Sequence, residues 1–333
     1  MAARPDGDAL AAILEAGGLG LAVTDLSAGE APPEGAPGGI VRLGVHRGGP
    51  PPGVGLDAFD ALLCDDPDAP APWAGFSAAR FETVLAAIRS NVERRPVTAA
   101  ACCQVLRTSL KVTFEEALAT ESLAYSMLLA SEGFRAWRAA NPKRQRADEP
   151  GPRVAITREA HTLHIRLTRP AARNAVDARM RDALAEALAF ALEDPDAAPV
   201  VLSGAGPSFC AGGDLDEFGS AADPGQAHAI RVLRSATGLA ARLGGRLTAR
   251  LHGACVGAGI EIPAAAGRIV AAADTVMRLP EVAMGLIPGA GGTASIPRRI
   301  GRHRTGVMAL GGLDIDVATA LRWGLVDAVE DEG

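Results

Sequence analysis

The stretch from His252 to Thr293 limits what this chain can become more than any other part of it. It reads His252-Gly253-Ala254-Cys255-Val256-Gly257-Ala258-Gly259-Ile260-Glu261, followed by Pro280-Glu281 and then Gly289-Ala290-Gly291-Gly292-Thr293. Glycines just ahead of an apolar helix leave backbone N–H groups open to whatever binds there. One carboxylate falls on the first turn of that helix, and a second stands behind a proline suited to a helix's first position. Amides aimed at one point, with two acids beside them, suit a reaction in which negative charge grows on a carbonyl oxygen while protons move.

A second glycine turn lies about forty residues earlier, at Ser208-Phe209-Cys210-Ala211-Gly212-Gly213-Asp214-Leu215. It follows Pro199–Gly204, whose apolar, β-branched residues predict a buried parallel strand. Together these segments resemble the crotonase (enoyl-CoA hydratase/isomerase) superfamily. The resemblance runs from about Val154 to Val329. It is carried by Arg169–Ala175 at a strand end, the Phe-Cys-Ala-Gly-Gly-Asp turn, the Gly-Ala-Gly-Ile-Glu element, the Pro-Glu to Gly-Gly-Thr stretch, and a closing Gly324-Leu325-Val326.

The resemblance implies an α/β fold, a crotonase-like β/α spiral core with a mostly helical subdomain. It places the two oxyanion-hole donors on the amides of Ala211 and Ala258, and the two catalytic acids at Glu261 and Glu281. It assigns Arg169, Ala171 and Arg173 to the path of coenzyme A, where Arg suits phosphate. Gly212, Gly213, Asp214 and Gly257 join them as substrate-side backbone, Asp214 mainly to fix its turn. For Glu281 a competing reading is that of a carboxylate at a helix start, favoured there by the dipole. Solvated surface charge competes in the same way for Arg169 and Arg173. Gly267-Arg268 and Arg246 depart from the family's usual Cys-Asp and Pro, away from the proposed chemistry.

Bulk properties narrow the classes further. At 333 residues the chain can bury one large core or two smaller ones. Its net charge of −6 and the lack of a basic block beyond Lys143–Arg146 argue against nucleic acid. The five cysteines are odd in number and form no Cys-x-x-Cys, which predicts reduced thiols. Cys210 and Cys255 flank the proposed site and read as small packing residues. Met1–Asp6 begins no signal-peptide core, and no run is long enough to span a membrane, so a soluble, cytoplasmic location is expected. Gly289–Thr293 lacks the Lys-Ser/Thr of a P-loop.

The organisation expected is an N-terminal α/β extension (1–76), a helical subdomain (77–140), a charged linker (141–153) and the crotonase-like core (154–333). The extension holds a possible helix over Asp8–Ala16, strand-like Leu19–Val23 and Ile40–Val45, and Pro/Gly-rich breaks. Phe81, Val84, Leu85, Ile88 and Val92 then line one helix face, ended by Pro96. Val97, Ala101, Val105, Leu106 and Leu110 line the next. Thr113 with Glu116 forms a capping-box pattern before a third helix. The family ordinarily continues past Gly-Leu-Val with closing helices, and Phe114–Glu121 and Phe134–Arg138 resemble those. A circular permutation that moves them to the front is therefore expected; an unrelated helical domain is the alternative.

The leading functional expectation is hydration of a 2-enoyl-CoA through a thioester enolate. No cofactor is implied beyond the coenzyme A of the substrate, and no metal. Other crotonase reactions (double-bond isomerisation, hydrolysis, C–C cleavage, cofactor-free oxygenation) and a non-catalytic acyl-CoA-binding scaffold are the alternatives. A homotrimer or dimer of trimers is also expected, because Phe81, Val92, Phe114, Leu128, Phe134 and Trp137 look like more apolar surface than short helices can hide among themselves.

Overall fold

A computed structural model describes residues 9–330 except 10, 14, 16, 36, 37, 54 and 145–149. Of the helix expected over Asp8–Ala16, residues 9, 11–13 and 15 are described and are helical, and 8, 10, 14 and 16 lie outside the described residues. The chain then builds a four-stranded, all-parallel sheet in the order β1 (Leu19–Asp25), β2 (Gly39–His46), β3 (Ala61–Cys64), β4 (Ala74–Gly75). Strand β3 is apolar on both faces; β2 turns Val41, Leu43 and Val45 to one face, while Arg42 and His46 lie buried on the other, Arg42 donating to the Glu34 and Gly35 carbonyls.

Four helices follow: α1 (Ala78–Arg94), α2 (Pro96–Ser109), α3 (Phe114–Leu129) and α4 (Glu132–Ala140). The apolar spacing read from the sequence is buried along α1. Pro96 opens α2 at its first turn, where its missing N–H costs nothing. On α2, Ala101, Val105 and Leu106 are buried, but Val97 and Leu110 at its two ends are exposed. The capping box of α3 is formed on both sides. The Thr113 hydroxyl accepts from the Glu116 N–H (3.2 Å), and the Glu116 carboxylate accepts from the Thr113 N–H (2.8 Å).

The second half begins with β5 (Val154–Glu159) and β6 (Thr162–Leu167), then α5 (Ala178–Glu193), β7 (Val200–Gly204), α6 (Pro224–Leu233), α7 (Ala236–Leu243) and β8 (Leu247–Leu251). It continues with β9 (Ala254–Val256), α8 (Ala258–Glu261), β10 (Arg268–Ala271), β11 (Val276–Arg278), α9 (Gly292–Gly311), β12 (Ile315–Asp316), α10 (Val317–Trp323) and β13 (Ala328–Val329). A six-stranded sheet runs β13-β10-β8-β7-β6-β5, parallel except for the β5–β6 hairpin. A smaller sheet, β12-β11-β9, carries the second glycine turn at the end of β9.

The helices over 78–140 do not stand apart. Helix α9 packs against α1, α2, α3 and β3. The approach is close enough that a Cβ on Gly306 of α9 would lie 2.6 Å from the Asp60 carbonyl oxygen. Asn91 of α1 donates to the Leu310 carbonyl (2.8 Å), and the Arg304 Nε of α9 donates to the Trp73 carbonyl (2.7 Å). Phe81, Val92, Leu128 and Phe134 are at most 3% exposed within this single chain. The apolar faces of α1, α2 and α3 are thus met by α9, and that of α4 by the Glu281–Met284 turn, so they give no support for an assembly. Among the described residues no helix is long and apolar enough to cross a membrane.

Candidate active site

Two glycine turns, far apart in sequence, are stitched into one structure. The Phe209 N–H donates to the His252 carbonyl (2.9 Å), the Cys210 N–H to Ala254 (3.2 Å), and the Val256 N–H back to Cys210 (3.0 Å). A Cβ on Gly212 would stand 2.8 Å from the Val256 carbonyl oxygen, and one on Gly259 would run into the Cys210 carbonyl. Gly212 also sits at φ +95°, which favours glycine. Cys210 and Cys255 are buried at this seam, with the Cys210 thiol pushed up to about 12 mainly by burial, as inert packing residues should be.

The seam delivers amides into a cavity of about 620 Å³. Ala258 lines it as the first residue of α8, and among the described residues its N–H has no partner. The first turn corrects the sequence reading. The Ala211 N–H is already used, donating to the Arg173 carbonyl (2.9 Å), and Ala211 does not line the cavity. Gly213 does line it. Its neighbours pair with Val176 on either side, the Gly212 carbonyl accepting from the Val176 N–H (2.8 Å) and the Asp214 N–H donating to the Val176 carbonyl (2.9 Å). The Gly213 N–H is left without a partner among the described residues. The pair of open amides is thus Gly213 and Ala258. The alternation of a paired strand, by which successive N–H groups point opposite ways, is the signal that could have separated 211 from 213.

Both predicted acids reach the same cavity. Glu261 is 2% exposed, and its Oε2 accepts from the amides of Ala290 and Gly292, each at 2.8 Å. Glu281 follows Pro280 in a single 3₁₀ turn, and its Oε2 is buried with no hydrogen-bond partner. A Cβ built on Gly257 would lie 2.5 Å from Glu281 Oε1 and 3.6 Å from Glu261 Oε1. The two carboxyls therefore face one glycine, which sits at φ +50° and has no side chain to separate them.

Burial raises the Glu261 carboxyl to about 7, held back by its two amide donors. Glu281 goes well above the usual carboxylate range, through burial first and then the charge of Glu261. With fewer hydrogen bonds and a charged neighbour, Glu281 keeps its proton longer than Glu261. That split gives one acid and one base at neutral pH.

A third carboxyl, absent from the sequence reading, completes the cluster. Glu121 on α3 is buried, and its Oε1 accepts from the Gly291 N–H (2.6 Å). Its Oε2 accepts from the N–H and the hydroxyl of Thr293, each at 2.7 Å. Glu261 and Glu121 thus hold alternate amides of the 290–293 loop, which is the run of free N–H groups that opens α9. Burial and the Glu261 charge raise Glu121 to about 8.

The remaining sequence assignments separate. Arg169 is buried, with Nη1 2.7 Å from Asp214 and 3.5 Å from Asp177, and it also donates to the Ala175 carbonyl (3.1 Å). It is therefore an internal ion pair, and no buried guanidinium so engaged can serve a coenzyme A phosphate. Asp214 lines the cavity but spends its carboxylate on Arg169 and the Asp216 N–H, fixing the turn. Ala171 and Arg173 are exposed on the loop beside the first turn, outside the cavity wall. Gly257 donates its own N–H to the Arg278 carbonyl (2.9 Å), so it contributes space, not a donor.

A family model described as enoyl-CoA hydratase/isomerase matches residues 157–332. The chain is 36% identical over 183 residues to a mevalonyl-coenzyme A hydratase of Beauveria bassiana, a match covering 53% of this chain and 65% of that protein. The chain thus spans a little under two thirds of that relative's length. It is 34% identical over 182 residues to a probable enoyl-CoA hydratase of Mycobacterium tuberculosis, covering 54% of this chain and 70% of the other. Among solved structures, an enoyl-CoA hydratase from Thermoplasma volcanium superposes with a TM-score of 0.51 at 31% identity, over 55% of this chain and 73% of that one. The chain belongs to the enoyl-CoA hydratase/isomerase family, the crotonase superfamily, and has its α/β fold.

Proposed function

We propose that the protein adds water across the double bond of a 2-enoyl-CoA. The observation that carries this reading is the pair of buried carboxyls, Glu261 and Glu281, facing one side-chain-free position beside two open amides. Ionised Glu261 takes a proton from water as the water oxygen bonds to the β-carbon. The π electrons move toward the thioester oxygen, and the resulting enolate is held by the N–H groups of Gly213 and Ala258. Such donors stabilise the anion more than the neutral thioester, each by roughly 3–4 kcal/mol. Protonated Glu281 then delivers its proton to the α-carbon. The proton on Glu261 passes back to Glu281 to restore the starting state. Written this way the reaction balances with water alone, and no metal or redox group is needed beyond the coenzyme A that the substrate carries.

Two carboxyls favour hydration over isomerisation, which often manages with one. The same pair argues against a non-catalytic scaffold, which has no use for two unneutralised buried acids. We also propose that Arg173 and the Ala171 backbone, exposed beside the first turn, guide the coenzyme A. The helices over 77–140 stand in for the family's closing helices, and their packing on α9 supports this. A homotrimer or dimer of trimers remains part of the proposal, supported by Leu123, Met127 and Leu233, which are exposed on α3 and α6. The five buried, unpaired cysteines support a reducing, cytoplasmic location. The direct test is loss of the conjugated enoyl absorbance across a panel of 2-enoyl-CoA thioesters. Consumption of one of them with formation of the 3-hydroxyacyl product is the expected result, and inertness toward all of them overturns the reading.

A further inference from the structure

The cavity wall also carries a cation that makes no ion pair among the described residues. Arg231 of α6 lines it, with the guanidinium carbon 4.9 Å over the Tyr125 ring. Its Nε donates to the Ser122 hydroxyl (3.0 Å), and its Nη2 donates to the Ser122 carbonyl (3.3 Å) and the Ser126 hydroxyl. All of these acceptors are neutral. Among the described residues no carboxylate pairs with Arg231, and its Nη1 donates to nothing.

The contrast with its surroundings is informative. Arg181 and Arg234 also line the cavity, yet each is paired, with Asp182 and Glu186 respectively, both at 2.9 Å. Glu121, on the same helix as Ser122, favours the Arg231 charge from a distance, but its oxygens are spent on Gly291 and Thr293 and make no contact with the guanidinium. Burial works against the Arg231 charge. Beside it stands Tyr125, also at the cavity, its phenol kept protonated chiefly by burial. Leu118, Leu184, Phe218 and Ile230 supply apolar wall in the same cavity. A partly buried guanidinium hydrogen-bonded only by neutral groups, with Nη1 unused among the described residues and a phenol next to it, matches a carboxylate far better than a methyl end.

We propose that Arg231 and Tyr125 bind a carboxylate at the far end of the acyl chain, so that the protein acts on ω-carboxyacyl thioesters. This rests on the acyl-CoA reading of the site, and the test is built so that the two can fail separately. Saturated thioesters bind without reacting. Calorimetry with matched pairs (butyryl- and succinyl-CoA, hexanoyl- and adipyl-CoA) on the full chain therefore measures the preference whether or not the protein is a hydratase.

At least one carboxylated member is expected to bind about ten-fold or more tighter than its methyl-ended partner. Arg231→Met is expected to abolish that preference while leaving the methyl-ended thioester within a few-fold. Arg231→Lys, which keeps the charge, should retain part of it. Equal binding of both members in every pair overturns the proposal. So does equal weakening of both by Arg231→Met, which is what a contact to a coenzyme A phosphate or a purely structural strap between α6 and α3 predicts. If Arg231→Met unfolds, Tyr125→Phe serves instead, with the same selective loss expected and an equal loss overturning the idea. Binding without turnover of the matching 2-enoyl thioester sinks the hydratase reading and leaves this one standing.

Discussion

Glu121 is the residue whose replacement tells most about how the site is held together. Its two oxygens receive three donors, the amides of Gly291 and Thr293 and the Thr293 hydroxyl, all buried. Alanine would leave all three without partners. At about 1–3 kcal/mol for each of three orphaned buried donors, the gross loss is roughly 3–9 kcal/mol, part of it offset because a buried carboxylate near Glu261 disappears too. That is a large share of the ~5–15 kcal/mol that holds a typical domain folded. Glutamine is the sharper perturbation. It keeps the shape and one acceptor oxygen but turns an –NH₂ toward an N–H, for an expected cost of about 2–3 kcal/mol.

The functional consequence follows from alternation along the loop. Ala290 and Gly292 hold Glu261, while Gly291 and Thr293 hold Glu121. Loosening one set of amides loosens the aim of the other. A catalytic group misplaced by such a shift can lose on the order of 10²-fold in rate. Glu121→Gln is therefore expected to lower kcat for an enoyl-CoA by about 10–100-fold with little change in KM, and to shift urea unfolding to lower denaturant. Steady-state decay of the enoyl absorbance and tryptophan fluorescence during urea unfolding report the two effects. Wild-type behaviour in both assays would refute the idea that Glu121 organises the loop.

Three further outcomes are expected. Gly257→Ala forces a Cβ to within 2.5 Å of Glu281 Oε1 at φ +50°, so turnover should collapse while the fold loses only about 1–2 kcal/mol, read by activity and thermal melting together. Arg169→Met strands the Asp214 carboxylate, while Asp177 keeps its pair with Arg153, and should cost about 3–5 kcal/mol in urea unfolding; a folded variant with weakened coenzyme A binding alone would restore the phosphate role. Because Glu261 must be ionised to act as base and its carboxyl sits at about 7, kcat/KM should fall as pH drops below about 7. The same raised value means the folded state holds the Glu261 proton more tightly than the unfolded chain does. Its contribution to stability therefore declines as pH rises from the ordinary glutamate range toward 7, and Glu261→Gln should flatten that slope.

Much of the site was legible because it is built from local rules. Glycines ahead of α8, proline ahead of Glu281, and the apolar strand before the first turn announce their backbone roles in the residues themselves. What escaped depends on direction or on distance along the chain. Ala211 and Gly213 are two residues apart, and only the pairing with Val176 decides whose N–H faces the cavity. Arg169 looks like a phosphate ligand until Asp214, 45 residues on, is found against it. Glu121 reads as an ordinary helix glutamate, since its acceptor role is set by amides 170 and 172 residues later. The apolar faces of α1, α3 and α4 were read correctly as apolar. What covers them, α9 from the far end of the chain over α1 and α3 and the Glu281–Met284 turn over α4, is a tertiary fact with no local signature.

The account stands on Glu261 and Glu281 acting as a base and an acid on one substrate. The most direct measurement is turnover of the best 2-enoyl-CoA by Glu281→Gln, with binding of the corresponding saturated thioester measured on the same preparation. Glutamine keeps the volume and removes the proton that the α-carbon should receive. Turnover is predicted to fall by about 10²–10⁴-fold while binding of the saturated thioester stays close to wild type. Near-wild-type hydration by Glu281→Gln would contradict the two-carboxyl mechanism and leave Glu261 as the single acid of an isomerase-like reaction.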